Sequence, residues 1–373
     1  MRRNNGYKPF LLLAALILLA AIILLIILYG RGERVKTPTV GIVLSGGAQE
    51  SGWNGANYEG AKRACESMGV RLLVKESVRE GTDECAEAVR ALAKEGAGMI
   101  MLSSYAYAGE VQELRQAYPD IVFHVNAQED LADNMTSYFV RMYQARYLSG
   151  IIAGMRTRSN VIGYVAALPN NEVNRGINAF MLGVRRKNPD ARVVVFWTGA
   201  WDTREREMEA VDRLVRERHA DVITYHQNQS NAVEAADAAG VDSIAYHQEF
   251  AEYSPHHLTA IVCDWEKVYA EMIRDYLKGR GNTADSYWIG MEADAVGLAA
   301  YSEYVTQEMQ DVVEEARQEI LSGKAVFSGE VYDTEGNLRC GESEIISDEA
   351  LLEDVDWYAE GVEIYEESVD EEK

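Results

Sequence analysis

Two short segments carry the side chains best suited to chemistry. The glycine-rich turn Leu44-Ser45-Gly46-Gly47-Ala48-Gln49-Glu50-Ser51-Gly52-Trp53-Asn54-Gly55 follows an apolar run and sets an indole beside an amide. Farther on, Phe196-Trp197-Thr198-Gly199-Ala200-Trp201-Asp202 sets two indoles and a carboxylate at the end of another apolar run. An aromatic face from each segment can sandwich a flat ring, while Asn54 and Asp202 read its polar edge. The glycine turn lacks the G-x-G-x-x-G spacing and has no following Lys-Ser or Lys-Thr, so neither nucleotide fingerprint is present.

Catalytic patterns are weaker. Ser45-Gly46-Gly47 is not a G-x-S-x-G nucleophile elbow. His226, His247, His256 and His257 lack helical ligand spacing and a nearby carboxylate set, and read as solvent-facing or strand-end residues. No glycosidase-style carboxylate pair stands out, because acidic residues are everywhere. The reading is of a binding protein, not an enzyme, with no cofactor and no metal.

These segments need strands and helices to position them. Thr39–Leu44, the glycine turn and a helical pattern over Ala56–Met68 make a strand-turn-helix unit. The rhythm recurs with strands at Val70–Val74, Gly98–Leu102 and Ile121–Val125, and with helices at Asp83–Lys94 and Gly109–Ala117. A long helix is expected from Phe139 to Arg156. A second series has strands at Val161–Val165, Val193–Phe196, Val222–Tyr225, Ser243–Tyr246 and Leu258–Val262, with helices at Glu172–Arg186, Arg204–Arg218 and Ala232–Ala239. Two such series predict an α/β protein of two Rossmann-like lobes, each with a parallel sheet covered on both faces. Carboxyl ends of strands are where such sheets bind ligands. On that rule Ser104, Tyr105, Gln227, Tyr246, Asp264 and Glu292 join the candidates, together with Trp53, Asn54, Trp197, Trp201 and Asp202.

The uninterrupted apolar run Phe10–Tyr29 is long enough to cross a bilayer as one helix. It has no small-x-small cleavage site and no cysteine near its end, so it reads as an uncleaved anchor. Arg31, Arg34 and Lys36 partly balance Arg2, Arg3 and Lys8, and the slight positive-inside bias that is left puts residues 1–9 in the cytoplasm and the body outside the cell membrane. The expected organisation is then an anchor at 10–29, a linker at 30–38, one lobe at 39–156 with a return of part of 264–325, a second lobe at 157–263, and a hairpin, helix and acidic tail at 326–373. A net charge of −24, from 36 Lys and Arg against 60 Asp and Glu, argues against nucleic acid as a partner. The four cysteines show no C-x-x-C spacing. Cys65 and Cys85 either pair as a disulfide or remain buried free thiols.

Four segments together resemble a known family: GWNGANYEGAK (52–62), ARYLSGIIAGMRTRSNVIGYVAALP (145–169), EVNRGINAFMLGVRRKNPDARVVVFWTGAWD (172–202) and LTAIVCDW (258–265). They resemble the basic membrane protein family of ABC-transporter substrate-binding proteins, nearest its Med-like branch, a family that includes purine-nucleoside binders. The resemblance spans Val40 to about Ala300. It implies the type I periplasmic-binding-protein fold, a small-molecule ligand such as a purine base or nucleoside, and a permease partner. It also implies that Trp53 and Trp201 stack on the ligand. Two departures bear on the ligand. The acidic residue that starts the family's first motif falls on Gln49 or Glu50, and the family's ribose-holding Asp is missing from Ile244-Ala245-Tyr246-His247-Gln248-Glu249. A free base such as adenine is thus as consistent as a nucleoside. A ligand sensor on the same fold and a sugar binder are the competing readings.

Overall fold

Short β-branched runs alternate with amphipathic helices through most of the chain, and in the computed structural model they build two separate parallel sheets. The structure describes residues 16–23, 37–50, 52–126, 134–247, 254, 256–281 and 286–366. Thr39–Lys373 forms one unit and Met1–Pro38 another. Of the apolar run Phe10–Tyr29 only residues 16–23 are described, as helix, so the expected anchor lies largely outside the described residues. Among the described residues no helix is long and apolar enough to cross a membrane.

The first sheet uses β1 (Thr39–Val43), β2 (Arg71–Lys75), β3 (Met99–Leu102), β4 (Val122–Val125), β5 (Met135–Val140) and β11 (Tyr287–Ile289), in the order β11-β5-β4-β3-β1-β2. The second uses β6 (Val161–Ala166), β7 (Arg192–Trp197), β8 (Val222–His226), β9 (Asp242–Tyr246), β10 (His257–Cys263), β12 (Val296–Leu298) and β15 (Val362–Ile364), in the order β12-β10-β9-β8-β6-β7-β15. All pairs are parallel except β10 with β12. The strand order reverses direction between β1 and β3 in one sheet and between β6 and β8 in the other. Both reversals open a crevice at the carboxyl ends of the strands.

The helix expected from Phe139 begins at Met142, and Phe139 belongs to β5. All six residues of β5 are buried, so the strand lacks an alternating pattern and runs into the apolar face of the next helix after one residue, Arg141. That helix, α4 (Met142–Arg156), carries the chain from the first sheet to the second and packs along α5 (Asn171–Lys187). Glycines let the two backbones touch: a Cβ on Gly150 would stand 2.1 Å from the Phe180 carbonyl oxygen, and one on Gly183 would stand 2.0 Å from that of Tyr147. The chain returns through α8 (Trp265–Leu277) to β11 and then crosses again to β12. Trp265 on α8 is fully buried, and an aromatic side chain so placed contributes roughly 3 kcal/mol of apolar burial.

The end of the chain, past the hairpin of Val331–Tyr332 and Leu338–Cys340, straps α5. Asn171, Asn174 and Asn178 share one face of that helix and donate to the carbonyls of Leu352 and Glu353, of Val355, and of Trp357. β15 then adds to the edge of the second sheet beside β7. All four cysteines are free. Cys65 and Cys85 sit in separate apolar clusters, the first with Ile42 and Leu44 and the second with Val43 and Leu73. Successive strand residues face opposite sides of a sheet, so the two thiols are divided by the first sheet and the disulfide alternative is corrected.

Candidate ligand-binding site

The two crevices face a shared cavity of about 530 Å³, within the size range of small-molecule sites. From the first lobe it is lined by Ser45, Trp53, Glu80, the Ser103–Ala106 turn and Asn126, and from the second by Leu168–Asn170, Glu172, Trp201, His226–Asn228 and Tyr246.

Trp53 opens the first helix, Trp53–Met68, directly after Gly52. Gly52 has φ +85°, and a Cβ there would stand 2.1 Å from the Asn228 carbonyl oxygen of the other lobe. Only glycine allows the two loops to meet at that point. The Trp53 indole N–H donates to the Ser103 carbonyl at 2.9 Å. Its ring is wedged edge-on against Trp265 and His247, with centroids at 5.1 and 5.3 Å. These contacts fix a half-buried aromatic platform. Trp201 lies opposite in sequence logic, on the loop after β7, with its ring 5.9 Å from that of His226. Its carbonyl accepts from the Asn228 N–H at 2.9 Å, which ties the two cavity-lining loops of the second lobe together.

The polar groups follow the strand ends. Ser104 donates to Glu80 at 2.5 Å, and Gln227 donates to Thr198 at 2.6 Å. Tyr105 stands at the rim, 56% exposed. The Ser103 hydroxyl and the Asn126 amide nitrogen are buried and have no hydrogen-bond partner among the described residues. Tyr246 Oη lies 3.2 Å from His226 Nε2, which lies 3.3 Å from Glu172 Oε1. Burial lowers the His226 pKa against the opposing pull of Glu172, and burial raises that of Tyr246 well above its usual value. A neutral imidazole and a neutral phenol therefore stand beside a carboxylate. Among the described residues no Lys or Arg lines the cavity.

Six of the candidates from sequence meet here: Trp53, Ser104, Tyr105, Trp201, Gln227 and Tyr246. The other five do not line the cavity. Asn54 is buried and turned to Ser45 and Glu50, with bonds of 3.3 and 3.4 Å. Trp197 packs on Tyr358, 6.5 Å between ring centroids. Asp202 is exposed. Asp264 caps α8, accepting from the Glu266 N–H at 3.2 Å, and Glu292 accepts from the Gly290 N–H at 3.0 Å. Reasoning from sequence missed Glu172, His226, Asn126, Asn170 and Glu80. The strand-end rule that found Ser104 and Gln227 also reaches Asn126 after β4 and Asn170 after β6. His226 and His257 sit at strand ends and are buried, while His247, just past β9, is half-buried. Among the described residues no group of three or more His, Cys, Asp and Glu is arranged to hold a metal.

Comparison with known proteins gives these features a context. A family model described as ABC transporter substrate-binding protein, PnrA-like, matches residues 37–330. A purine-binding protein of Brucella abortus is 28% identical over 330 residues, 87% of this chain and 92% of that protein. A Haloferax volcanii protein named for glucose binding by an ABC transporter is 33% identical over 267 residues, 71% of this chain and 65% of that protein. Among solved structures, an ABC transporter solute-binding protein of Aeropyrum pernix superposes with a TM-score of 0.65 at 20% identity, covering 77% of this chain and 92% of that one.

Proposed function

Since the chain belongs to the PnrA-like family of ABC transporter substrate-binding proteins, we propose that its ligand is a purine base or nucleoside, adenine-like, held between the two lobes. The observation that carries this reading is that Trp53 from one lobe and Trp201 from the other line one cavity. Two aromatic faces give a flat heterocycle its apolar burial, and polar groups at the edges give selectivity. Glu172 is the acceptor for a ring N–H or exocyclic amine, while the Asn126 amide and the Ser103 hydroxyl, both without partners among the described residues, meet ring nitrogens or a carbonyl. Among the described residues the lining has two carboxylates and no cationic side chain, which disfavours phosphorylated ligands. Closure of the lobes on the ligand would present one composite surface to a permease. We assign Phe10–Tyr29 as the membrane anchor, with the body outside the cell.

The relative named for glucose binding supports a second reading, since paired indoles also cover sugar rings. A thermal-shift screen against nucleobases, nucleosides, sugars and amino acids separates the two, because a ligand that binds only the folded state raises the melting temperature. Stabilisation by purines and not by sugars supports the first reading. Stabilisation by sugars alone replaces it.

A further inference from the structure

Behind the inner wall of the ligand cavity lies a second, enclosed chamber of about 10 Å³. Glu172 and His226 belong to both, while Arg146, Arg175 and Gly176 face the chamber and not the cleft. Arg146 has no solvent exposure, and none of its three guanidinium nitrogens has a hydrogen-bond partner among the described residues. Its guanidinium instead lies over two aromatic rings, 4.4 Å from the centroid of Tyr246 and 5.3 Å from that of Tyr164. His226 Nδ1 and Tyr164 Oη are likewise buried without partners. Those two atoms and the Arg146 side chain converge on one point: a Cβ on Gly176 would meet Tyr164 Oη at 3.7 Å, and Arg146 Cγ and His226 Nδ1 at 3.8 Å.

Three properties of the chamber narrow what fits it. A guanidinium only donates, so the occupant accepts. The chamber has room for one compact occupant, which excludes phosphate, sulfate and carboxylate groups. The charges do not balance. Arg175 is also fully buried, and although burial brings its pKa down to about 10 it stays protonated at neutral pH. His226 is neutral, so two cations in the chamber wall face one carboxylate, that of Glu172, while Asp348, which also acts on Arg175, is paired with Arg141. A buried cation left without compensation is costly, and proteins pair such charges.

We propose that this chamber is a binding site for one monatomic halide, chloride at physiological salt, held by the guanidinium of Arg146, which the Tyr164 and Tyr246 rings flank. Because His226 and Glu172 form the partition between chamber and cleft, halide and ligand would influence each other's affinity reciprocally. The site stands on its own geometry and does not depend on the identity of the cleft ligand.

The test uses the full chain without cleft ligand, at constant ionic strength, with sodium chloride or bromide exchanged for sodium gluconate. Halide should raise the melting temperature by about 2 °C or more and reach saturation. Gly176→Ala should abolish that response while melting normally in gluconate, because its methyl group makes only ordinary contacts as it fills the chamber. Arg146→Gln should abolish it as well. Crystals grown in bromide should show an anomalous peak beside Arg146. Equal melting of the wild type in halide and gluconate, or a peakless chamber holding only water, would overturn the proposal and leave the reading of the cleft intact.

Discussion

The two faces of α5 solve opposite problems with the same kind of residue. Along one face Asn171, Asn174 and Asn178, spaced i, i+3 and i+7, spend their amides on the carbonyls of the C-terminal strap. On another, Glu172 fronts the cleft and, with Gly176, the chamber behind it, beside which Arg146, Tyr164 and His226 bury polar atoms that have no partner among the described residues. Buried polar groups bonded by the chain itself hold the structure together. Where such groups are left unbonded together beside a cavity, unlike the isolated Oδ1 of Asn174, they offer a place for something else to bind. The contrast predicts that mutations on the strap side change stability and spare binding, and that mutations on the cleft side do the reverse.

Acidification should have the largest effect, because several histidines respond to it together. Burial lowers the pKa of His124 to about 3 and of His257 to about 4, and lowers those of His226 and His247 too. In the unfolded chain these imidazoles take up protons near pH 6.5, so the native state gains stability above that pH. It should lose stability as pH falls from about 6.5 toward 4, at up to about 1.4 kcal/mol per pH unit for each histidine still neutral. Melting temperature followed against pH, for the wild type and His124→Leu, checks this. The variant should show a shallower slope.

Asn178→Ala removes the donor to the Trp357 carbonyl at 2.9 Å and the acceptor for the Ala359 N–H at 2.8 Å, all buried. It should cost about 2–4 kcal/mol in denaturant unfolding while ligand affinity stays within about twofold of wild type. Trp201→Ala should do the opposite, lowering affinity at least about tenfold, or about 1.4 kcal/mol, with little change in the unfolding midpoint. A loss of stability without a loss of affinity in Trp201→Ala would erase the contrast.

The smallest effect belongs to Arg186 and Glu319, which tie α5 to helix Gln307–Leu321 with a 2.7 Å ion pair. The bond to Arg186 brings the Glu319 pKa down to about 2. The pair should therefore stabilise above about pH 4.5 and lose its effect as pH falls toward 2. Because both groups are partly exposed, Arg186→Met should cost no more than about 1 kcal/mol at neutral pH, and the difference from wild type should shrink on acidification.

Much of this fold was legible because each strand-turn-helix unit is local: the β-branched runs and the amphipathic spacing of α5 and of Arg204–Arg218 mark themselves. The missed pieces are those whose reason is non-local. β15 is three residues in an acidic stretch, Val362–Ile364, and is a strand only because the edge of β7 lies beside it. β5 is buried on both sides and merges with α4 in sequence. In the cavity, aromatic residues at strand ends were visible, but direction was not. Trp197 ends β7 and Trp201 lies four residues on, in the following loop, and pairing with Tyr358 takes the first away from the cleft. Glu172 reads in sequence as an ordinary acidic residue in the first turn of a helix, and only the crossing of α4 and the pairing of β8 with β6 bring Arg146 and His226 near it.

The most direct test of the stacking cleft is a calorimetric titration of the purified protein with adenine, adenosine and glucose, wild type beside Trp201→Ala. Saturable binding of adenine or adenosine that weakens at least about tenfold in the variant, with no heat from glucose, is the expected result. Binding of glucose but of neither purine, or purine binding that is indifferent to the loss of Trp201, would contradict it.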